Sequence, residues 1–257
     1  MEIFFVCLAA FFASLLTFFS GFGLGTILMP VFVLFFPLEM AIALTGVVHL
    51  LNNLFKMYLV GKDAAWRIVI KFGAPAIISA ICGAWILMSF SETQEWLIYT
   101  LGSKEFLITP IKVMVAFLMF SFALLELLPF FRRLEFSENK LFIGGIISGF
   151  FGGLSGHQGA LRSAFLIKCG LTKESFIATG IIISSMIDIS RVSVYFTKYA
   201  SIGIEENLGL LLSSVLAAFT GALIGKKLLK KITTSFIKIT VAVMIMIMSI
   251  ALGLGII

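Results

Sequence analysis

Gly21-Phe22-Gly23-Leu24-Gly25-Thr26-Ile27-Leu28-Met29-Pro30 sits inside a stretch that carries no charge between Glu2 and Glu39. A single helix over the intervening residues would reach about 54 Å at 1.5 Å per residue, against a hydrocarbon core of about 30 Å, so one membrane span cannot use them all. The glycines at 21, 23 and 25 remove side chains and widen the accessible torsions. The chain is therefore expected to break here into a helical hairpin with arms near 3–20 and 26–36. Pro37 and Glu39 bring it back to an interface.

The rest of the composition agrees with a membrane reading. Of 257 residues, 60% are hydrophobic and 12% charged, with a mean hydropathy of +1.14, whereas soluble domains carry about 25% charged residues. That excludes a soluble globular enzyme, a disordered chain and a disulfide-stapled secreted domain, and leaves a polytopic membrane protein. The net charge of +6 comes from basic residues clustered between apolar runs, as in cytoplasmic loops. A basic face interleaved with stacking aromatics is missing, so no nucleic-acid partner is expected. Cys7, Cys82 and Cys169 are odd in number and have no CxxC spacing; they read as buried, inert thiols, with no metal site and no cofactor. The start Met1-Glu2-Ile3 lacks the basic stretch of a cleavable signal and reads as mature membrane sequence.

After the hairpin at 3–36, apolar runs place spans at 39–60, 67–90 and 107–131, and a polar linker at 132–140 follows. The pattern then restarts with a second hairpin at 141–170, broken at Ser155-Gly156-His157-Gln158-Gly159, and spans at 174–199, 206–225 and 236–257. Residues 1–131 and 141–257 thus read as two repeats. Gly25 pairs with Gly159 and Thr45-Gly46 with Thr179-Gly180; Ala80, Gly83, Ala84 and Ile86 recur as Ala218, Gly221, Ala222 and Ile224. Counting positive charge puts Lys56, Lys62, Arg67 and Lys71 in the cytoplasm, with the Arg132, Arg133 and Lys140 linker, and puts the acid-leaning loop from Ser91 to Lys104 outside. The richest basic cluster of the second half, Lys226, Lys227, Lys230 and Lys231, comes one element later than its counterpart. That shift is the mark of inverted topology, with each hairpin entering and leaving on one side and both termini outward. The expected fold is an all-α membrane protein of two inverted repeats, each a glycine-broken helical hairpin plus three transmembrane helices.

Broken helices persist at membrane depth only beside protein or a watery cavity. Paired breaks in two halves point to a transport site, where free N–H groups at helix starts suit an anion. Gly23, Gly25 and Thr26 at the first break, and Gly156, His157, Gln158 and Gly159 at the second, are the candidate binding positions. The four-spaced Gly145, Gly149 and Gly153, and Gly221 with Gly225, read as packing faces instead. Thr45, His49, Asn52 and Asn53 recur on one helix face, and Lys56, next along it, is expected to snorkel to the cytoplasmic surface. Thr179 and Ser184 are the candidates of the second half. Asp188 and Arg191 serve either ion coupling or a plain i,i+3 ion pair. Arg162 offers a planar fork to carboxylate, sulfonate or sulfite oxygens, or a structural salt bridge to Asp188. His49, His157 and Asp188 are candidate proton carriers.

The broken run from Gly21 to Pro30, Ala43-Leu44-Thr45, the basic loop and the repetition of the whole resemble the TauE/SafE sulfite exporter family over nearly the entire chain. The resemblance implies a multi-pass secondary transporter of small sulfur-containing anions, including sulfite and organosulfonates, in a prokaryotic plasma (inner) membrane. The family usually has three adjacent glycines; here Leu24 interrupts them, and Ala164 stands where Pro30 would recur. Three rivals remain: a cation-coupled carrier of another small anion or of a metal cation, an intramembrane enzyme, and a membrane scaffold. The first has only Asp188 and Glu126 as intramembrane acids, the second lacks a nucleophile–base pair at helical spacing, and the third lacks long loops. No nucleotide-binding loop occurs, so transport would be driven by a gradient. The expected partners are a small anionic substrate and membrane lipid, with association into a homo-oligomer left open.

Overall fold

The computed structural model describes residues 2–20, 24–90, 95–128, 136–199, 207–228 and 234–257. Helix α1 (Glu2–Ser20) and helix α2 (Leu24–Val33) flank positions 21–23, so Gly23 lies outside the described residues. Pro37 then opens α3 (Leu38–Val60) from an extended backbone, and a single 3-10 turn (Gly61–Asp63) leads into α4 (Trp66–Phe90). In the second half, a 3-10 turn (Glu138–Lys140) leads to α6 (Leu141–Ser155), α7 (Gly159–Leu166), α8 (Lys173–Tyr199), α9 (Leu208–Leu228) and α10 (Thr234–Gly253). Linker residues 132–135, Lys230 and Lys231, and the side chain of Glu126, are also outside the described set.

One segment departs from the all-helical expectation. Strands β1 (Leu97–Leu101) and β2 (Lys104–Ile108) form an antiparallel hairpin that turns at Gly102, whose φ is +67°. Tyr99 lies opposite Phe106, and their rings stack at 5.3 Å. The following helix, α5 (Pro110–Leu127), therefore starts at 110 rather than 107. Thr109 caps it, its Oγ1 accepting from the Lys112 amide at 3.3 Å, and Pro110 takes the first helical position. Short apolar strands and helix ends look alike in a hydropathy window, which is why the sequence alone assigns Leu107 and Ile108 to the span.

Among the described residues, four helices are long and apolar enough to cross a membrane: α3 with its 3-10 turn, α4, α8 and α9. The closest packing pairs α4 with α6 and α1 with α9, while α3 lies on α8 and α5 on α10. Glycines explain the first two. A Cβ at Gly145, Gly149 or Gly153 of α6 would strike the carbonyls of Phe72, Ala76 and Ala80 on α4, and one at Gly83 would strike that of Phe150. On the other pair, a Cβ at Gly221 of α9 would strike the Phe11 carbonyl of α1. Backbone meets backbone along both seams, as membrane helices without a hydrophobic driving force require. The thiols are free and none is fully buried as the sequence suggests: Cys82 is exposed on α4, and Cys7 and Cys169 are partly exposed.

Candidate functional site

The α3–α8 crossing brings together polar residues from both halves of the chain. Asp188 of α8 is fully buried at 0% exposure. Its Oδ2 accepts from His49 Nδ1 at 2.6 Å and from Asn53 Nδ2 at 3.0 Å. Its Oδ1 accepts from Arg191 Nε at 3.0 Å and from Gln158 Nε2 at 3.4 Å. The short His49 contact fixes that ring with its proton on Nδ1. The Asp188–Arg191 pair expected at i,i+3 is formed.

Gln158 reaches this centre because α6 stops short. Gly156 closes α6 in the left-handed region at φ +78°, its amide donating to Gly152 O at 2.9 Å, and a Cβ there would stand 2.6 Å from Arg191 Nη1. Torsion and space both require glycine. Ser148 Oγ donates to the Gln158 carbonyl at 3.3 Å and holds the exit from the break. Helix α7 starts at Gly159 and carries Arg162, 6% exposed, in its first turn. Arg162 Nη1 donates to Ser184 Oγ at 3.0 Å and to Gln158 Oε1 at 3.4 Å. Among the described residues no carboxylate lies within ion-pair distance of Arg162. The alternative salt bridge to Asp188 is not formed, because Arg191 and His49 already occupy that carboxylate.

The repeated Thr-Gly pair borders the two arginines. A Cβ at Gly46 of α3 would meet Val192 Cγ2 at 3.2 Å and stand 3.8 Å from Arg191 Cζ, and one at Gly180 of α8 would stand 3.4 Å from Arg162 Nε. Spacing alone missed both glycines as site residues, although their recurrence in the two halves was visible.

Several candidates serve other ends. Thr179 Oγ1 accepts from the Ala65 amide at 2.9 Å and anchors the start of α4. Asn52 faces α1 and α9: with its amide oriented to pair donors with acceptors, it gives to Ser14 Oγ at 3.0 Å and Ala218 O at 3.3 Å and accepts from Lys56 Nζ at 3.1 Å. Lys56 does not snorkel. It is 4% exposed, and its ammonium also donates to Thr17 Oγ1 at 3.4 Å. Thr26 is buried in the first turn of α2, and Gly25 faces Thr45 and His49 at ordinary contact distance. His157 donates from Nδ1 to Ser155 O at 2.9 Å, and its ring lies parallel to Phe122 at 6.0 Å. Among the described residues, three buried polar atoms have no hydrogen-bond partner: Thr45 Oγ1, His157 Nε2 and Arg191 Nη2. Among the described residues, no group of three or more His, Cys, Asp or Glu side chains is placed to hold a metal ion.

A helix break beside a buried polar centre with two arginines, set among apolar spans, defines a polytopic membrane protein with an internal polar site. The chain belongs to the Sulfite exporter TauE/SafE family, whose sequence model matches residues 6–252. That membership makes it a multi-pass membrane transport protein of a family that handles sulfur anions. Neither the curated proteins nor the solved structures compared with it give a match.

Proposed function

We propose that the chain is a secondary transporter that carries small anions, sulfite or organosulfonates, across the plasma membrane by alternating access at two opposed helix breaks. The observation that carries this reading is the environment of Arg162. Its guanidinium is buried and bonded to two neutral groups, Gln158 and Ser184. An uncompensated buried charge costs about 3–5 kcal/mol when its partner is removed, so such a site calls for an anion. A sulfonate or sulfite supplies it with matching forked geometry. Asp188 argues against the cation carrier, since both of its oxygens are engaged by protein donors, His49 and Asn53 on one and Arg191 and Gln158 on the other.

The reading as two inverted repeats, 1–131 and 141–257, draws support from the packing. If α1 to α5 correspond in order to α6 to α10, the α4–α6 seam and the α9–α1 seam exchange, and the α3–α8 and α5–α10 pairs map onto themselves. A twofold relation between halves has this pattern. Helices α6 and α7, 15 and 8 residues long, reach about 22 and 12 Å, less than a hydrocarbon core of about 30 Å. The second hairpin thus has the proportions of one that enters and leaves on the same side.

The test is uptake of labelled sulfite, sulfoacetate, sulfate and acetate by purified protein in liposomes, with and without a pH gradient. Sulfite or sulfoacetate should accumulate in preference to acetate. Arg162→Ala should fold and lose binding, and Arg162→Lys should keep a fraction of it because charge remains while the fork is lost. Normal transport by Arg162→Ala would overturn the reading.

A further inference from the structure

Carbonyls at the end of a helix lack partners within it and must find them outside. At the end of α7, Ala164 O accepts from the Phe136 amide at 3.2 Å, Leu166 O from the Cys169 amide at 3.1 Å and Phe165 O from the Cys169 thiol at 3.4 Å. Phe136 is one of two apolar residues in the polar run 132–140, and its ring serves the same helix end. It stacks on the Phe165 ring, with centroids 4.3 Å apart and planes at 18°, and Lys140 Nζ lies over it at 5.6 Å from the centroid. Phe165 is in turn keyed into the bundle. It meets the Phe72 ring of α4 edge-on at 6.2 Å, and a Cβ at Gly144 of α6 would stand 2.5 Å from it. Arg162, Phe165 and Leu166 are spaced to share one face of α7, and all three are buried. Phe136 is only half-buried, so its ring is the outer layer over that face.

We infer that Phe136 is a positioning residue that latches α7, and with it Arg162, in the closed arrangement, and that the site opens toward the linker end of the bundle when Phe136 leaves Phe165. Helix α7 is built as a part that can move. It has 8 residues, follows the break at 156–158 and precedes Gly170, which holds φ +66° with open space around its would-be Cβ. A break on one side and a glycine turn on the other leave the short helix free to tilt as a unit. The clasp itself is weak enough to be reversible: one ring stack, one amide bond and one cation over the ring. The Arg67–Glu138 pair that ties the same strap to the start of α4 is exposed, so water screens it. Release breaks no hydrogen bond inside α7, because Phe136 reaches Ala164 O from outside the helix. Water can take its place on that carbonyl.

This inference rests on the reading that Arg162 holds an anion, and two measurements on the full-length protein in detergent fail separately. The first uses no ligand. With Cys7, Cys82 and Cys169 replaced by serine, which keeps a hydroxyl donor beside the Phe165 carbonyl, Leu166→Cys reports on α7. Ala242→Cys, buried in α10, reports on the rest of the bundle. Phe136→Ala should speed thiol labelling of Leu166→Cys by about fivefold or more, the scale of one aromatic contact, and leave Ala242→Cys unchanged. Phe136→Leu covers the case in which Phe136→Ala fails to fold; it keeps apolar bulk, loses the stack and should speed labelling about threefold. Phe136→Tyr keeps the stacking ring and should label like the wild type. A purely structural role for Phe136 would expose both reporters alike. The second measurement is the dissociation rate of labelled sulfoacetate, which should rise about fivefold or more in Phe136→Ala because the exit is unlatched. Three results each overturn the latch: labelling of Leu166→Cys unmoved by Phe136→Ala and Phe136→Leu, an equal rise at both reporters, or sulfoacetate leaving Phe136→Ala at the wild-type rate. Wild-type protein that binds no sulfoacetate overturns the Arg162 reading, and the labelling still decides whether Phe136 holds α7.

Discussion

Glycine positions at the two breaks separate into those that need glycine and those that tolerate a methyl group. Gly25 is a candidate ligand-binding position at the first break, where an added Cβ would be expected to crowd the backbone that meets the ligand. In the structure it would meet Thr45 Cγ2 at 3.5 Å and His49 Cγ at 3.9 Å, both ordinary contacts, and Gly25 lies inside the first turn of α2. Alanine fits there and suits a helix better than glycine by roughly 0.5–1 kcal/mol. Gly156 is the opposite case. It holds φ +78°, and its Cβ would press on Arg191 Nη1 at 2.6 Å. A left-handed alanine costs about 1–2 kcal/mol before any displacement of Arg191. Gly25→Ala should therefore keep wild-type melting temperature and sulfonate affinity within about threefold, whereas Gly156→Ala should melt lower and bind more weakly. Melting curves and binding isotherms of the two variants side by side decide it. Weak binding by Gly25→Ala with unchanged melting would restore a direct ligand role for that backbone.

At the scale of helices, the four-spaced glycines are the test of how α4 and α6, and α1 and α9, are held. Gly149→Ala places a methyl group against the Ala76 carbonyl and Ser79, and Gly221→Ala places one against the Phe11 carbonyl. The Ala76 and Phe11 carbonyls are helix backbone and cannot swing aside, so the helices must separate and lose contact along the seam. Gly209 near the start of α9 has open space around its would-be Cβ. The expected result is a clear drop in melting temperature for Gly149→Ala and Gly221→Ala and none for Gly209→Ala, read by thermal unfolding in detergent. Equal effects at all three would mean that the seams are looser than the structure has them.

How much of this was legible beforehand follows from the physics of each element. Spans are legible because lipid demands long apolar runs, and ionisable residues stand out against them, which singled out His49, Arg162, Asp188 and Arg191. Their pairing was not legible. His49 and Asp188 lie 139 positions apart, and whether Asp188 meets Arg162, Arg191 or His49 depends on how α3 crosses α8. Repeat equivalence also misleads at this level: Thr45 and Thr179 match in sequence, yet one hydroxyl is unpartnered and the other holds the Ala65 amide.

For the molecule as a whole, the contacts between chain ends sort the loops onto two faces and make the membrane topology testable. Arg67 pairs with Glu138 at 3.3 Å, the Phe136 amide donates to Ala164 O at 3.2 Å, and Lys226 Nζ donates to Leu59 O at 3.1 Å. These tie the α3–α4 turn, the start of α6, the end of α7 and the end of α9 to one side. Across the molecule, Tyr99 of the β-hairpin donates to Leu254 O at 2.7 Å, which ties the α4–α5 connection to the end of α10. The basic residues Lys62, Arg67, Lys226 and Lys227 all belong to the first side, so the positive-inside rule predicts that this side faces the cytoplasm. In the proposed topology, a hairpin followed by three crossings starts and ends on opposite sides, which would invert the second repeat relative to the first. In a background freed of Cys7, Cys82 and Cys169, Lys62→Cys, Asn139→Cys and Lys227→Cys should react with a membrane-impermeant thiol reagent only from the cytoplasmic face, and Ser103→Cys only from the outside. The decisive comparison is Lys62→Cys against Lys227→Cys. If those two label from opposite faces, the halves are not inverted, and the contact between Lys226 and α3 cannot exist in the membrane.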